Sequence, residues 1–291
     1  MVLKEANSMK KYALIIVLSL LMVLAGVSAA FANDEICHGE LSEYDCLVSL
    51  KGMSPEELKD NGFSNADIRF IESIDFEKMA AEIKELTDDE LIERGISPEN
   101  IEVIRSSDDV DLILSVSLGN VTYSVSKELF YKSGSKTFLK TKTTWNWSTS
   151  PTLHFMDSVA TYTSGDFVKS STYGSIKYYE LGGSGISTLN TFSHYTANAG
   201  KVSYSNFPMD QALPSSANPN IDKRYYAKIG TIYNEWYANG DITVTGIACR
   251  YGHSSISCTP SVSVGSTGLS ISFTPSASIT TGPEDYHLIT R

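Results

Sequence analysis

Basic residues are scarce in this chain: 23 Lys and Arg stand against 34 Asp and Glu, giving a formal charge of −11 over 291 residues. A nucleic-acid binder needs a basic footprint to neutralise phosphates, so that class is excluded. Cysteine occupies four positions and proline nine, which excludes a disulfide-dense miniature scaffold and a proline-rich low-complexity chain. Catalytic signatures are lacking too. Gly182-Gly183-Ser184-Gly185 fails a nucleophile elbow at its last position, and neither H-E-x-x-H nor a Walker loop occurs. His154, His194, His253 and His287 are scattered along the C-terminal part. The expectation is a non-enzymatic protein with no metal and no cofactor.

One long uncharged run is present. It follows Lys10-Lys11, spans Tyr12 to Ala32 and ends in Ala30-Phe31-Ala32, the small-x-small pattern of a signal peptidase site. Residues 1–32 therefore read as a signal peptide, cleaved before Asn33, and the localisation as secreted and extracellular. An uncleaved signal anchor is the alternative, since the run is about long enough to cross a bilayer. In an exported chain, an even cysteine count reads as disulfides. The four form two equally spaced pairs, Cys37/Cys46 and Cys249/Cys258. Ile247, Cys249 and Tyr251 alternate on one strand phase, and Ile256 and Cys258 follow Gly252-His253-Ser254-Ser255. A loop at those four residues would set Cys249 opposite Cys258, within bridging distance. Neither spacing suits zinc.

The charge is unevenly spread. Residues 33–112 hold 23 acidic and 7 basic side chains, net −16, whereas residues 113–291 are net +3. The acidic stretch is helical in pattern and repeats at an offset of 33 residues: Ser54-Pro55-Glu56-Glu57-Leu58 matches Thr87-Asp88-Asp89-Glu90-Leu91, Gly62-Phe63-Ser64 matches Gly95-Ile96-Ser97, and Ile68/Ile71 match Ile101/Ile104. Ser54 with Glu57, and Thr87 with Glu90, have the spacing of capping boxes. Gly62 and Gly95 suit the left-handed residue that ends a helix, and Ser64 and Ser97 suit the next N-cap. Each copy thus predicts helix, tight turn, helix. Asp108-Asp109-Val110-Asp111 closes the stretch but lacks the Gly and the bidentate Glu of a calcium loop.

From about Leu112 the hydrophobic period falls to two, and Ser, Thr and Tyr become frequent. Strands are expected at 113–118, 121–126, 137–147, 157–163, 174–181, 201–206 and 225–237, with a β-bulge at Gly246. The fold class is α+β by segment: a small acidic N-terminal helical segment (33–112), then an all-β antiparallel sandwich (113–291). Trp145 and Trp147 share one strand phase and are the candidate ligand-binding residues, as a platform for a sugar or an anchor at a membrane interface. They could equally fill the core. Residues 254–274 alternate apolar with hydroxyl residues about a Gly265-Ser266-Thr267-Gly268 turn, the texture of a membrane hairpin.

The unit Glu57-Leu58-x₃-Gly62-Phe63-Ser64-x₃-Ile68-x₂-Ile71, Thr144-Trp145-Asn146-Trp147-Ser148 with Pro151, Asp157-Ser158-Val159-Ala160 and Tyr251-Gly252-His253 together resemble an uncharacterised family of secreted proteins of Gram-positive bacteria. In size and texture the chain is also similar to large secreted bacteriocins. The resemblance implies an exported two-part protein and no catalytic residues. Three functional classes follow: a non-enzymatic β-sandwich acting at or outside the cell surface, a membrane-active antibacterial or pore-forming protein with an acidic prosegment, and a carbohydrate- or cell-wall-binding module. The partners they imply are a cell surface, glycan or membrane, with the acidic segment docking on the β domain.

Overall fold

The computed structural model describes residues 35–60, 63–151, 156–181, 183, 185–190, 192–214, 222–254, 259–265, 268–274, 279–281 and 285–291. The expected signal peptide lies outside them. Alternating apolar and hydroxyl residues build two antiparallel sheets, as the period of two requires. The first sheet runs β1 (Glu35–Ser42), β2 (Asn120–Ser133), β3 (Lys136–Trp147), β10 (Asp222–Asn239), β5 (Val168–Glu180) and β6 (Ile186–Leu189), with β9 (Asp210–Pro214) also on β10. The second runs β14 (Ile279–Thr281), β11 (Val244–Ser254), β4 (Met156–Thr163), β8 (Val202–Pro208) and β7 (Ser193–Ala197), with β15 (Asp285–Thr290) also on β11. Among the described residues β12 (Thr259–Gly265) and β13 (Gly268–Thr274) pair only with each other.

The inner faces meet in one core. Trp145, Ile176, Tyr178 and Ile232 come from the first sheet, and Val159, Phe207, Ile247 and Tyr251 from the second. Trp145 lies across Gly230, its cross-strand partner, where a Cβ would fall 1.9 Å from Cζ2 of the indole. Tyr123 covers Gly39 in the same way, with a Cβ position 2.3 Å from the ring. Each glycine makes room for an aromatic ring on the adjacent strand.

Seven short helices follow β1: α1 (Glu43–Lys51), α2 (Pro55–Asp60), α3 (Asn65–Ser73), α4 (Phe76–Glu85), α5 (Asp88–Glu93), α6 (Pro98–Ser106) and α7 (Val110–Ser117). Their ends are set by side chains. The Thr87 hydroxyl accepts from the Glu90 N–H while Glu90 accepts from the Thr87 N–H, and Ser54 and Glu57 exchange the same two bonds. The internal repeat is structural: the Phe63 N–H donates to the Leu58 carbonyl and the Ile96 N–H to the Leu91 carbonyl, both at 3.0 Å, and Gly95 has φ +91°. Leu58, Leu91, Ile71 and Ile104 are buried alike. Arg105 ties the bundle together by an ion pair to Asp88 at 2.8 Å and a bond to the Lys84 carbonyl at 2.6 Å.

The helices pack on the outer face of the second sheet. Their core is continuous with Ala160 on β4 and Val202 on β8, and Tyr162 and Tyr204 border it. This contact is apolar, so the charge difference between the two parts is not what joins them. The section of the protein is three layers deep: first sheet, second sheet, helices.

Three sequence expectations are corrected. Glu35–Ser42, expected in the helical segment, is an edge strand paired with β2, Leu41 opposite Val121 and Ser42 opposite Asn120. The helices are thus an excursion between two paired strands. Residues 113–118, expected as a strand, lie largely in α7, because Asp109 caps the run by accepting from the Leu112 N–H. No bulge interrupts the pairing of Gly246 with Leu288; shifts occur instead between Ala227 and Ile229 and between Lys127 and Leu129.

Candidate functional site

Both candidate tryptophans point inward. Trp145 is 1% exposed and Trp147 fully buried, so neither offers a flat face to a sugar or a membrane. Trp145 stacks on Phe207 at 4.7 Å and 17°. Trp147 donates its Nε1–H to the Tyr251 hydroxyl at 3.1 Å and meets His253 edge-on at 5.1 Å. The outward residues of the same strand, Lys140, Lys142, Thr144 and Asn146, face away from the core.

The cysteines divide between described and undescribed positions. Cys46 is buried on α1, with its Sγ 3.0 Å from the Ser42 carbonyl, and Cys249 is buried on β11. Cys258 and the side chain of Cys37 lie outside the described residues. The loop expected at Gly252-His253-Ser254-Ser255 does not begin at Gly252. β11 runs straight through Gly252-His253-Ser254, and the sheet neighbours of Cys249 are Thr161 and Asp285. The residues expected to turn are held instead in two ladders, Gly252 opposite both Ser158 and Thr281.

What the sequence reading missed is a polar cluster sealed between the sheets. Asp157 on β4 and His253 on β11 are register partners. The imidazole Nδ1 lies 2.7 Å from Asp157 Oδ1, and both side chains are at most 1% exposed. The other carboxylate oxygen, Oδ2, accepts from the Tyr251 hydroxyl, which in turn accepts from Trp147. Glu43, the first residue of α1 and fully buried, adds its charge to the field at His253. Burial alone lowers the pKa of His253, but Asp157 and then Glu43 outweigh it, and the net shift is upward. Burial together with Asp157 drives the Tyr251 phenol well above its ordinary value. A signal did exist: His253 and Asp157 each sit on the apolar phase of a strand, with Tyr251 and Val159 as their i±2 neighbours.

The chemistry open to this cluster is narrow. An Asp–His pair serves catalysis when its second imidazole nitrogen faces a nucleophile that substrate can reach. Among the described residues, Nε2 of His253 has no hydrogen-bond partner, and the pair is closed to solvent. The arrangement instead joins β4, β11 and α1 through buried charge.

The remaining site is β12–β13. Its register sets Val264 opposite Leu269, Val262 opposite Ile271 and Pro260 opposite Phe273. Ser263 falls opposite Ser270 and Ser261 opposite Ser272. The two-residue alternation of the sequence is therefore in step between the two strands. No helix among the described residues is long and apolar enough to cross a membrane.

No protein-family model and no curated protein matches this chain. Among solved structures, Clostridium perfringens delta-toxin is similar over 59% of this chain and 85% of its own, at 10% identity and a TM-score of 0.25. A structure described as a pore forming protein is similar over 59% and 80%, at 7% identity and a TM-score of 0.26. The collagen binding domain of Erysipelothrix rhusiopathiae surface protein RspB is similar over 60% and 65%, at 7% identity and a TM-score of 0.23. Scores this low do not establish a shared fold.

Proposed function

We propose that this is a secreted, non-enzymatic β protein that acts on membranes, with β12–β13 as the inserting element. The observation that carries the reading is the hairpin register, which pairs apolar with apolar and hydroxyl with hydroxyl along its whole length. The same alternation continues in the sequence beyond both strands. It runs from Ser255 to Val264 and from Leu269 to Thr280, ten and twelve residues, enough for the roughly 9–11 residues a tilted strand needs to cross a bilayer. The lysine pair and apolar run before Asn33 support export.

Bilayer physics adds a condition. A lone hairpin in lipid leaves unpaired N–H and C=O groups on both edges, each costing several kcal/mol. Insertion therefore requires several copies, closed so that no edge remains. The test is dye release from lipid vesicles by the intact chain and by a Leu269→Asp/Ile271→Asp variant, with Ser270→Asp as the control on the hydroxyl phase. Release by the wild type and the control, with loss in the double variant, supports the reading. Absence of release at every concentration, or equal release by all three, overturns it.

A further inference from the structure

Of the two outer sheet faces, one lies under the helices, and the other is bare among the described residues. The bare face, at the β2–β3 hairpin and the adjoining parts of β10 and β5, has an unusual composition. Register lines up Tyr131, Phe138 and Tyr237 in one row, and Lys142, Tyr233 and Tyr173 in another. Tyr131 stacks on Phe138 at 5.3 Å, and Tyr173 on Tyr233 at 5.3 Å. Lysines stand over these rings: Lys136 lies 4.5 Å from the Tyr237 centroid and Lys140 4.9 Å from that of Tyr233. Leu129, Tyr131 and Tyr173 are exposed at 53%, 47% and 43%.

The charge of this face opposes that of the chain. Residues 127–142 hold five lysines and one acid, Glu128, within a protein of net −11; of these lysines, Lys132 pairs with Asp241, and Lys140 has Glu235 as its cross-strand partner on β10. Among the described residues no ion pair within 4.0 Å fixes Lys136, Lys140 or Lys142, although Glu235 and Glu128 lie near enough to act on the charge of Lys140. Cross-strand aromatic pairs alone would stabilise the sheet, but they do not call for a cluster of ammonium groups beside them. Tyrosine rings and lysines side by side fit the headgroup layer of a bilayer, where the ring is half-solvated and the ammonium meets phosphate.

We propose that this bare face of the first sheet, centred on Tyr131, Phe138, Lys136, Lys140 and Lys142, docks the protein on anionic phospholipid headgroups. The inference deepens the membrane reading but rests on different residues, so the two fail separately. The experiment is co-sedimentation of the intact chain with vesicles containing phosphatidylglycerol, and with vesicles of phosphatidylcholine alone, at low and high salt. Preference for the anionic vesicles, weakened by salt, is expected. The Lys136→Gln/Lys140→Gln/Lys142→Gln variant loses roughly five-fold in affinity per lysine, about a hundred-fold in all. Tyr131→Ala with Tyr173→Ala weakens binding to both vesicle types, while circular dichroism stays unchanged. Leu269→Asp/Ile271→Asp still binds anionic vesicles without releasing dye. Equal binding to the two vesicle types, or wild-type affinity in the triple lysine variant, overturns the proposal. So does a lysine-dependent preference for a soluble polyanion over phosphatidylglycerol vesicles, which would make the partner an acidic polymer.

Discussion

The imidazole of His253 and the carboxylate of Asp157 meet at 2.7 Å in the sealed space between the sheets, as cross-strand partners on β11 and β4. Because the pKa of His253 is raised above 6.5 in the folded protein, folding favours its proton. The stability it contributes is full below that value and is lost as pH rises through the folded value. Thermal unfolding followed across neutral and mildly alkaline pH should show Tm falling in the wild type and a flatter profile in His253→Gln. Parallel profiles would remove the charge from the account.

Asp157→Asn removes the negative partner while leaving the shape. It takes from the buried imidazole its carboxylate partner and weakens the acceptor of the Tyr251 hydroxyl. Breaking one side of a buried pair costs about 3–5 kcal/mol, so the denaturant midpoint should drop by that equivalent with an unchanged m-value. A cost below about 1 kcal/mol would mean that water relieves the site.

Gly230→Ala should destabilise by about 1–3 kcal/mol, because its methyl enters the space of the Trp145 indole. Gly134 is the contrasting position: its φ is +59° and nothing lies within 4 Å of its Cβ position. Alanine there costs backbone strain alone, about 1 kcal/mol. Chemical denaturation of both variants, with the near-ultraviolet signal of Trp145 as a second probe, separates overpacking from strain. Equal costs would contradict the packing account.

Cleavage near Ser107–Asp109, between α6 and α7, should give a nicked protein that stays together. The N-terminal piece is held by the β1–β2 ladder and by the helical core against Ala160 and Val202. Native mass spectrometry after limited proteolysis should report the intact mass, with separation only in denaturant. Spontaneous loss of the N-terminal piece would instead mark a releasable prosegment.

How much of this could be read beforehand follows the range of each interaction. The Thr87–Glu90 box, the Ser97 cap and the turn at Gly95 are made between residues no more than five apart, and each was legible in the sequence. β3 was legible because twelve residues alternate without interruption. β1 was not. Its eight residues carry no strong alternation, and they become a strand only by pairing with β2, beyond seven helices. Leu112-Ile113-Leu114 suits either period, and the Asp109 cap decides for helix. The Asp157–His253 pair spans 96 positions and matches no motif. Only its placement on apolar strand phases hinted at it.

The pairing of β1 with β2 also sets an order of events for a chain synthesised from its N-terminus. β1 emerges first and finds no partner until residues 43–119 have followed. An unpaired edge strand is a hazard for as long as it waits. The intervening chain uses that interval well, since its turns and caps need only near neighbours and can form at once. Once the helices have condensed, the ends of the loop are already close, and little closure entropy remains when β2 arrives. The repeated helix–turn–helix unit is in this sense a folding spacer, which keeps the first strand within reach of the last piece of backbone it needs.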